Sequence, residues 1–238
     1  MKRHLFAAAI TLVAASLMAA DSSPKDDATA AAKKLGDNYS WKTSVDLGPN
    51  AQFGPLTSEG KMAGDTAWFS QSFGDNSTEG IKQGTNVVIK GEEGWQSASE
   101  VGGGGGGGGG FNPAAGMVRN LQNLKGPGAD LVDAISKTKD MTMEAGAYTG
   151  ALTDDGAKDL ATFRFGGRRG GAAPKDAKGT LKVWVKDGAV SKYELKVSGK
   201  RTDQNGDEQE FERTTTVNFN DVGSTKITIP DDAKKKLS

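Results

Sequence analysis

The chain has 238 residues, of which 30 are basic, 30 acidic and 35% hydrophobic, with no cysteine and a single histidine. Balanced charge gives no electrostatic footprint for nucleic acid. The missing cysteine excludes disulfides, thiol nucleophiles and acylation at a leader cysteine.

Residues 1–22 read as a signal peptide. Met1-Lys2-Arg3-His4 is a short basic start, residues 5–17 are apolar and uncharged, and Ala19-Ala20 precede polar Asp21-Ser22-Ser23. That order marks a cleavable leader. The apolar run is shorter than the roughly 20 residues that a membrane span needs. Cleavage after Ala20 leaves Met18 at the minus-three position, whereas cleavage after Ser22 leaves the smaller Ala20 there. The expected product is periplasmic or secreted, with no stable membrane anchor, and residues 23–238 form a single β-rich domain.

Residues 23–36 have the punctuation of a helix. Ser23 stands at the N-cap, Pro24 in the first turn, Asp26 and Asp27 at the positive end, Lys33 and Lys34 at the negative end, and Gly36 at the stop. Ala28, Ala31, Ala32 and Leu35 form a thin apolar stripe suited to lying on a sheet. From Tyr39 the period changes to two. Strands are expected over 41–47, 53–62, 65–73, 78–82, 86–90 and 94–96, parted by glycine and Asn/Asp in the manner of an antiparallel meander.

Nine consecutive glycines occupy 102–110. Glycine loses the most backbone entropy on ordering, so this stretch is expected to be a flexible loop. Phe111-Asn112-Pro113 follows it, not the Lys-Ser/Thr of a phosphate loop. Helical spacing then returns at Met117, Val118, Leu121 and Leu124, and again after Pro127 at Leu131, Val132 and Ile135. Residues 145–150 read as a short strand or turn, and 153–161 as a helix capped by Thr153. A second Gly-rich loop is expected at 166–174. Its Arg168-Arg169 could touch single-stranded nucleic acid, although a hairpin loop is the simpler reading.

The last third alternates strictly. Strands are expected at 180–186 and 190–200 around an Asp187-Gly188 hairpin. The next is at 209–220, with Phe211, Arg213, Thr215, Val217 and Phe219 on one face, and a last short strand is at 225–229. Pro230 then opens a terminal helix over 231–237, in which Lys234-Lys235-Lys236 reads as a solvated end.

Loss of the leader carries away His4. The remaining chain has neither His nor Cys, which excludes Ser-His-Asp and Cys-His nucleophiles, His- or Cys-bound zinc and attached haem. No cofactor or metal is expected, and the chain reads as a non-enzyme. Carboxylate chemistry stays open, with Glu92, Glu93, Asp154, Asp155, Asp207 and Glu208 as candidates, though each stands where turns and caps want acids. Residues 203–208 have spaced oxygen donors around Gly206 but lack the later glutamate of an EF-hand loop.

The closing segments carry a resemblance. Residues 180–186, Asp187-Gly188, residues 190–199, then Phe219-Asn220-Asp221-Val222-Gly223 and Ile227-Thr228-Ile229-Pro230 follow one another. This order resembles the final strands of the periplasmic LolA-like and LppX-like lipoprotein carriers. Val88-Ile89-Lys90-Gly91 with Trp95 resembles an earlier strand pair of the same group. The resemblance covers about half the chain and transfers no ligand residue. It implies an α+β fold: an incomplete antiparallel β-barrel, or curved sheet, with helices covering the concave face around an apolar cavity. The expected function is then a soluble exported carrier of a lipid, a lipoprotein acyl chain or another hydrophobic ligand. Leu181, Val183, Val185, Tyr193, Leu195, Val197, Val217 and Phe219 are the expected lining. The same residues would equally fill a solid core. A cell-envelope interaction module and a carboxylate-based hydrolase are the alternative functions.

Overall fold

The computed structural model describes residues 22–49, 54–73, 76–92, 94–103, 113–162, 164–165, 168–169, 174–202 and 206–238. Residues 1–21 of the expected leader, residues 104–110 of the glycine run and residues 203–205 of the polar turn around Gly206 lie outside them. So do Phe53, Glu93 and most of the 166–174 loop. The elements in chain order are α1 (Pro24–Lys33), β1 (Asn38–Asp46), β2 (Leu56–Ala63), β3 (Thr66–Phe73), β4 (Asn76–Gln83), β5 (Asn86–Gly91) and β6 (Gly94–Ser97). Next come α2 (Ala98–Gly103), α3 (Pro113–Gln122), α4 (Pro127–Ser136), β7 (Thr138–Glu144), β8 (Ala147–Leu152), α5 (Asp154–Ala161), β9 (Arg164–Phe165) and β10 (Arg168–Arg169). The chain closes with β11 (Lys175–Lys186), β12 (Ala189–Thr202), β13 (Glu208–Asn220) and α6 (Asp231–Leu237).

Eleven strands form one antiparallel sheet in the order β6-β5-β4-β3-β2-β1-β13-β12-β11-β8-β7. Its two edges are different strands, so it curves without closing: an α+β incomplete barrel, as the sequence led one to expect. The meander β1–β6 joins the C-terminal hairpins through the β1·β13 pair, in which Trp41 faces Phe219 and Thr43 faces Val217. Side chains alternate between the two faces of a strand. One face therefore collects Tyr39, Trp41, Tyr193, Leu195, Val197, Val217 and Phe219, and the helices bury it.

Helix α1 forms as its sequence dictates. The Ser23 hydroxyl accepts from the Asp26 N–H at 3.2 Å, and Ala28, Ala31 and Ala32 face the core. Those small side chains let α1 lie close against α4, β7 and β12. Helices α2 and α3 cover Val87 and Ile89 of β5 on the same concave side. Helix α6 crosses to the opposite side, where Ala233 and Leu237 pack with Ile81, Val88, Trp68 and Trp95.

Four local expectations change. The 225–229 stretch is not a strand. It runs as irregular chain, with Asn38 standing in for a ladder partner: Thr225 N–H donates to Asn38 Oδ1 at 2.8 Å, and Asn38 Nδ2 donates to the Thr225 carbonyl at 3.3 Å. Strand β7 has no counterpart among the expected elements. It is a sheet edge with a register irregularity between Thr138 and Met141, and only those two residues are buried, so no alternation is visible. Helix α2 takes in Gly102 and Gly103 of the glycine run. Inside the second loop, Arg168 and Arg169 pair with Phe165 and Arg164 as a two-stranded hairpin.

Candidate functional site

The concave face has two parts. Under α1 and α4 it is filled. Tyr39 meets Phe219 edge-on with ring centroids 5.3 Å apart, Trp41 lies 5.7 Å from Tyr39, and Tyr193 lies 6.1 Å from Phe219. Offset and edge-to-face arrangements of this kind suit the aromatic quadrupoles. Gly60, the register partner of Trp41, leaves room for the indole: a Cβ there would come within 2.1 Å of it. Helix α4 is fixed by a polar contact, the Gly128 N–H donating to the Tyr39 hydroxyl at 3.1 Å. Burial raises the Tyr39 pKa, so the phenol stays neutral and keeps accepting that bond. Beyond α4, Lys137 pairs with Asp133 and, at 2.5 Å, with Asp159 of α5.

All eight expected lining residues lie in or against this cluster. Leu181, Val183, Val197 and Val217 are fully buried, Tyr193, Leu195 and Phe219 nearly so, and Val185 packs at the margin. None of them lines either of the two described pockets. The smaller pocket, about 300 Å³, lies among Met62, Ala67, Lys82, Leu124 and Lys125.

The same face continues past the helices. Val45 pairs with Leu56 and Thr215, and Thr43 with Ser58, all of them half-buried. The strip leads into a groove of about 1390 Å³. Leu47, Pro49, Ala177 and Phe211 give that groove apolar surface, Lys158, Lys178, Lys200, Arg201 and Arg213 bring positive charge, and Asp154, Asp176, Glu210 and Glu212 bring acids. The groove forms because β12 and β13 outrun the helices, with Arg201 opposite Gln209 at their far ends. Gly199, opposite Phe211, leaves the ring its space: a Cβ at 199 would sit 3.2 Å from the Phe211 ring. The Arg201 guanidinium stacks 4.0 Å from the Phe211 ring centre. Arg213 Nη2 donates to the Leu160 carbonyl at the C-terminal end of α5 at 2.6 Å, where the helix dipole favours a cation. Burial, and after it the like charge of Arg201, push the Arg213 pKa down to about 10, which leaves it charged at neutral pH.

The candidate acids are dispersed. Asp154 and Asp155 occupy the first turn of α5, capped by Thr153, and Glu92 sits at the β5–β6 turn. Lys175 bonds Glu208 at 2.6 Å and holds its carboxyl below the usual range, the reverse of what a general acid needs. Among the described residues, no group of three or more acids is placed to hold a metal. No described helix is long and apolar enough to cross a membrane.

The groove residues were partly visible in the sequence. Arg213 was not singled out, although it is the one charged residue on an otherwise apolar or hydroxyl face of 211–219; Leu47 and Pro49 gave no signal. No family model matches the chain, and no curated protein matches it. Among solved structures, LprF from Mycobacterium bovis aligns over 88% of this chain and 99% of its own, with 13% identity and a TM-score of 0.46. At that score the likeness is distant, and the architecture rests on the strand order itself.

Proposed function

We propose that the chain is an exported, non-catalytic carrier or binding protein for a hydrophobic ligand. One observation supports this most: the concave face runs out from beneath its helices into a groove of about 1390 Å³ whose mixed lining includes Leu47, Pro49, Ala177 and Phe211. Ligand sites are concave and combine apolar surface with placed polar groups; this groove offers apolar surface at Leu47, Pro49, Ala177 and Phe211 among many charged and polar side chains. In this reading the eight strand residues 181, 183, 185, 193, 195, 197, 217 and 219 form the packed floor from which the groove extends. Val197 and Val217 join it to the groove through their register partners Arg213 and Thr43. The leader in residues 1–22 supplies the export.

Native mass spectrometry of the purified protein, followed by organic extraction, tests the reading. The expected result is an adduct that extracts as lipid. Protein that stays free of adduct, and that neither takes up nor brightens an apolar fluorescent probe, would remove the proposal.

A further inference from the structure

We infer that the ligand is an anionic amphiphile whose carboxylate head is held at the groove mouth by Arg201 and Arg213, with its chain lying on Leu47, Val45 and Leu56. The inference rests on the hydrophobic-ligand reading and deepens it. Residues 201, 211 and 213 share the concave face: Gly199 faces Phe211, Val197 faces Arg213, and Arg201 is two residues beyond Gly199 on the same side. Two guanidiniums thus flank one aromatic ring at the edge of an apolar strip.

Two of the four acids that line the groove are ion-paired. Glu210 and Glu212 alternate with Phe211 along β13, and Glu212 pairs with Lys196 at 2.9 Å. Asp176 pairs with Lys200 at 3.6 Å. Asp154, in the first turn of α5, and Glu210 are the groove acids that have no ion pair among the described residues. Among the described residues Arg201 has no ion-pair partner; its guanidinium rests on Phe211. Two like charges on a partly buried face repel, and an anion between them offsets that repulsion. Guanidinium forks also match carboxylate geometry. A neutral lipid would leave the two guanidiniums without an anion between them, and a short carboxylate would leave the apolar strip unused.

Competition against an apolar fluorescent probe tests this, with oleate, oleyl alcohol and acetate as competitors on the full chain and on Arg201→Gln. Arg201 is exposed, so its replacement leaves the fold in place. Oleate is expected to bind more tightly than oleyl alcohol. Arg201→Gln should weaken oleate by about tenfold while leaving oleyl alcohol unchanged, and acetate should not compete. Equal binding of oleate and oleyl alcohol, unaltered in Arg201→Gln, overturns the head-group site and leaves the hydrophobic-ligand reading standing. Acetate competing as well as oleate overturns the amphiphile. Failure of both long-chain ligands to bind overturns both readings.

Discussion

Gly60 and Trp41 illustrate how one absent side chain fixes a core. The indole lies over the glycine on the neighbouring strand, at a distance no Cβ tolerates. Gly60→Ala must therefore displace a buried tryptophan or bend β2. Overpacking of this kind costs about 1–3 kcal/mol, and a lowered urea midpoint with altered tryptophan emission is the expected outcome. Tyr39 works through its hydroxyl. It accepts from the Gly128 N–H at the start of α4, and Gly126 just before it needs a φ of 78°, which a glycine adopts freely. Tyr39→Phe keeps the ring and its contact with Phe219 but leaves a buried N–H without its acceptor. A loss of about 1–3 kcal/mol is expected, and amide exchange should quicken first at residues 126–131. Unchanged exchange there would show that the phenol does not hold α4.

Helix α6 shows an element held by contacts remote in sequence. Two residues, Ala233 and Leu237, enter the apolar patch around Trp68 and Trp95, and Asn86 Nδ2 donates to the Leu237 carbonyl at 2.6 Å. Lys236 adds a bond to Glu100 of α2 at 2.5 Å. That bond, followed by those from Ser97, lowers the Glu100 pKa to about 2 from an ordinary 4.5. A carboxylate with a depressed pKa stabilises the folded state above its ordinary value, and the contribution fades as pH falls through the lowered one. Docking of α6 should therefore weaken between about pH 4.5 and pH 2. The effect is modest because both side chains are exposed. Trp95 emission against pH reads it, and Glu100→Gln should flatten the curve at the weakened level. A curve identical in the variant would remove the ion pair from the account.

At the scale of the whole molecule, the helices of a long open sheet fill only part of its concave face, while α6 covers a patch on the opposite side. The sequence carried much of this. Period-two alternation located β11, β12 and β13, because each buries one face and exposes the other. The Asp187-Gly188 turn followed from its residue types: both adopt positive φ, 53° and 77°, as a two-residue hairpin requires. The stripe of α1 was equally plain. Strand β7 was not, since an edge strand with two buried residues has no pattern to read. The 225–229 stretch misled because it is buried on one side like a strand, but its hydrogen bonds go to a side chain, a choice made by Asn38 far away in sequence. Composition and local period thus determined by themselves the β-rich class, most of the helices and hairpins and the exclusion of Cys chemistry, since those depend on residue content and on each residue's neighbours along the chain. The pairing of β1 with β13, where the helices stop covering the sheet, and the meeting of Arg201, Phe211 and Arg213 with Leu47 at one mouth were decided only by the tertiary structure, because they depend on register between segments more than 150 residues apart.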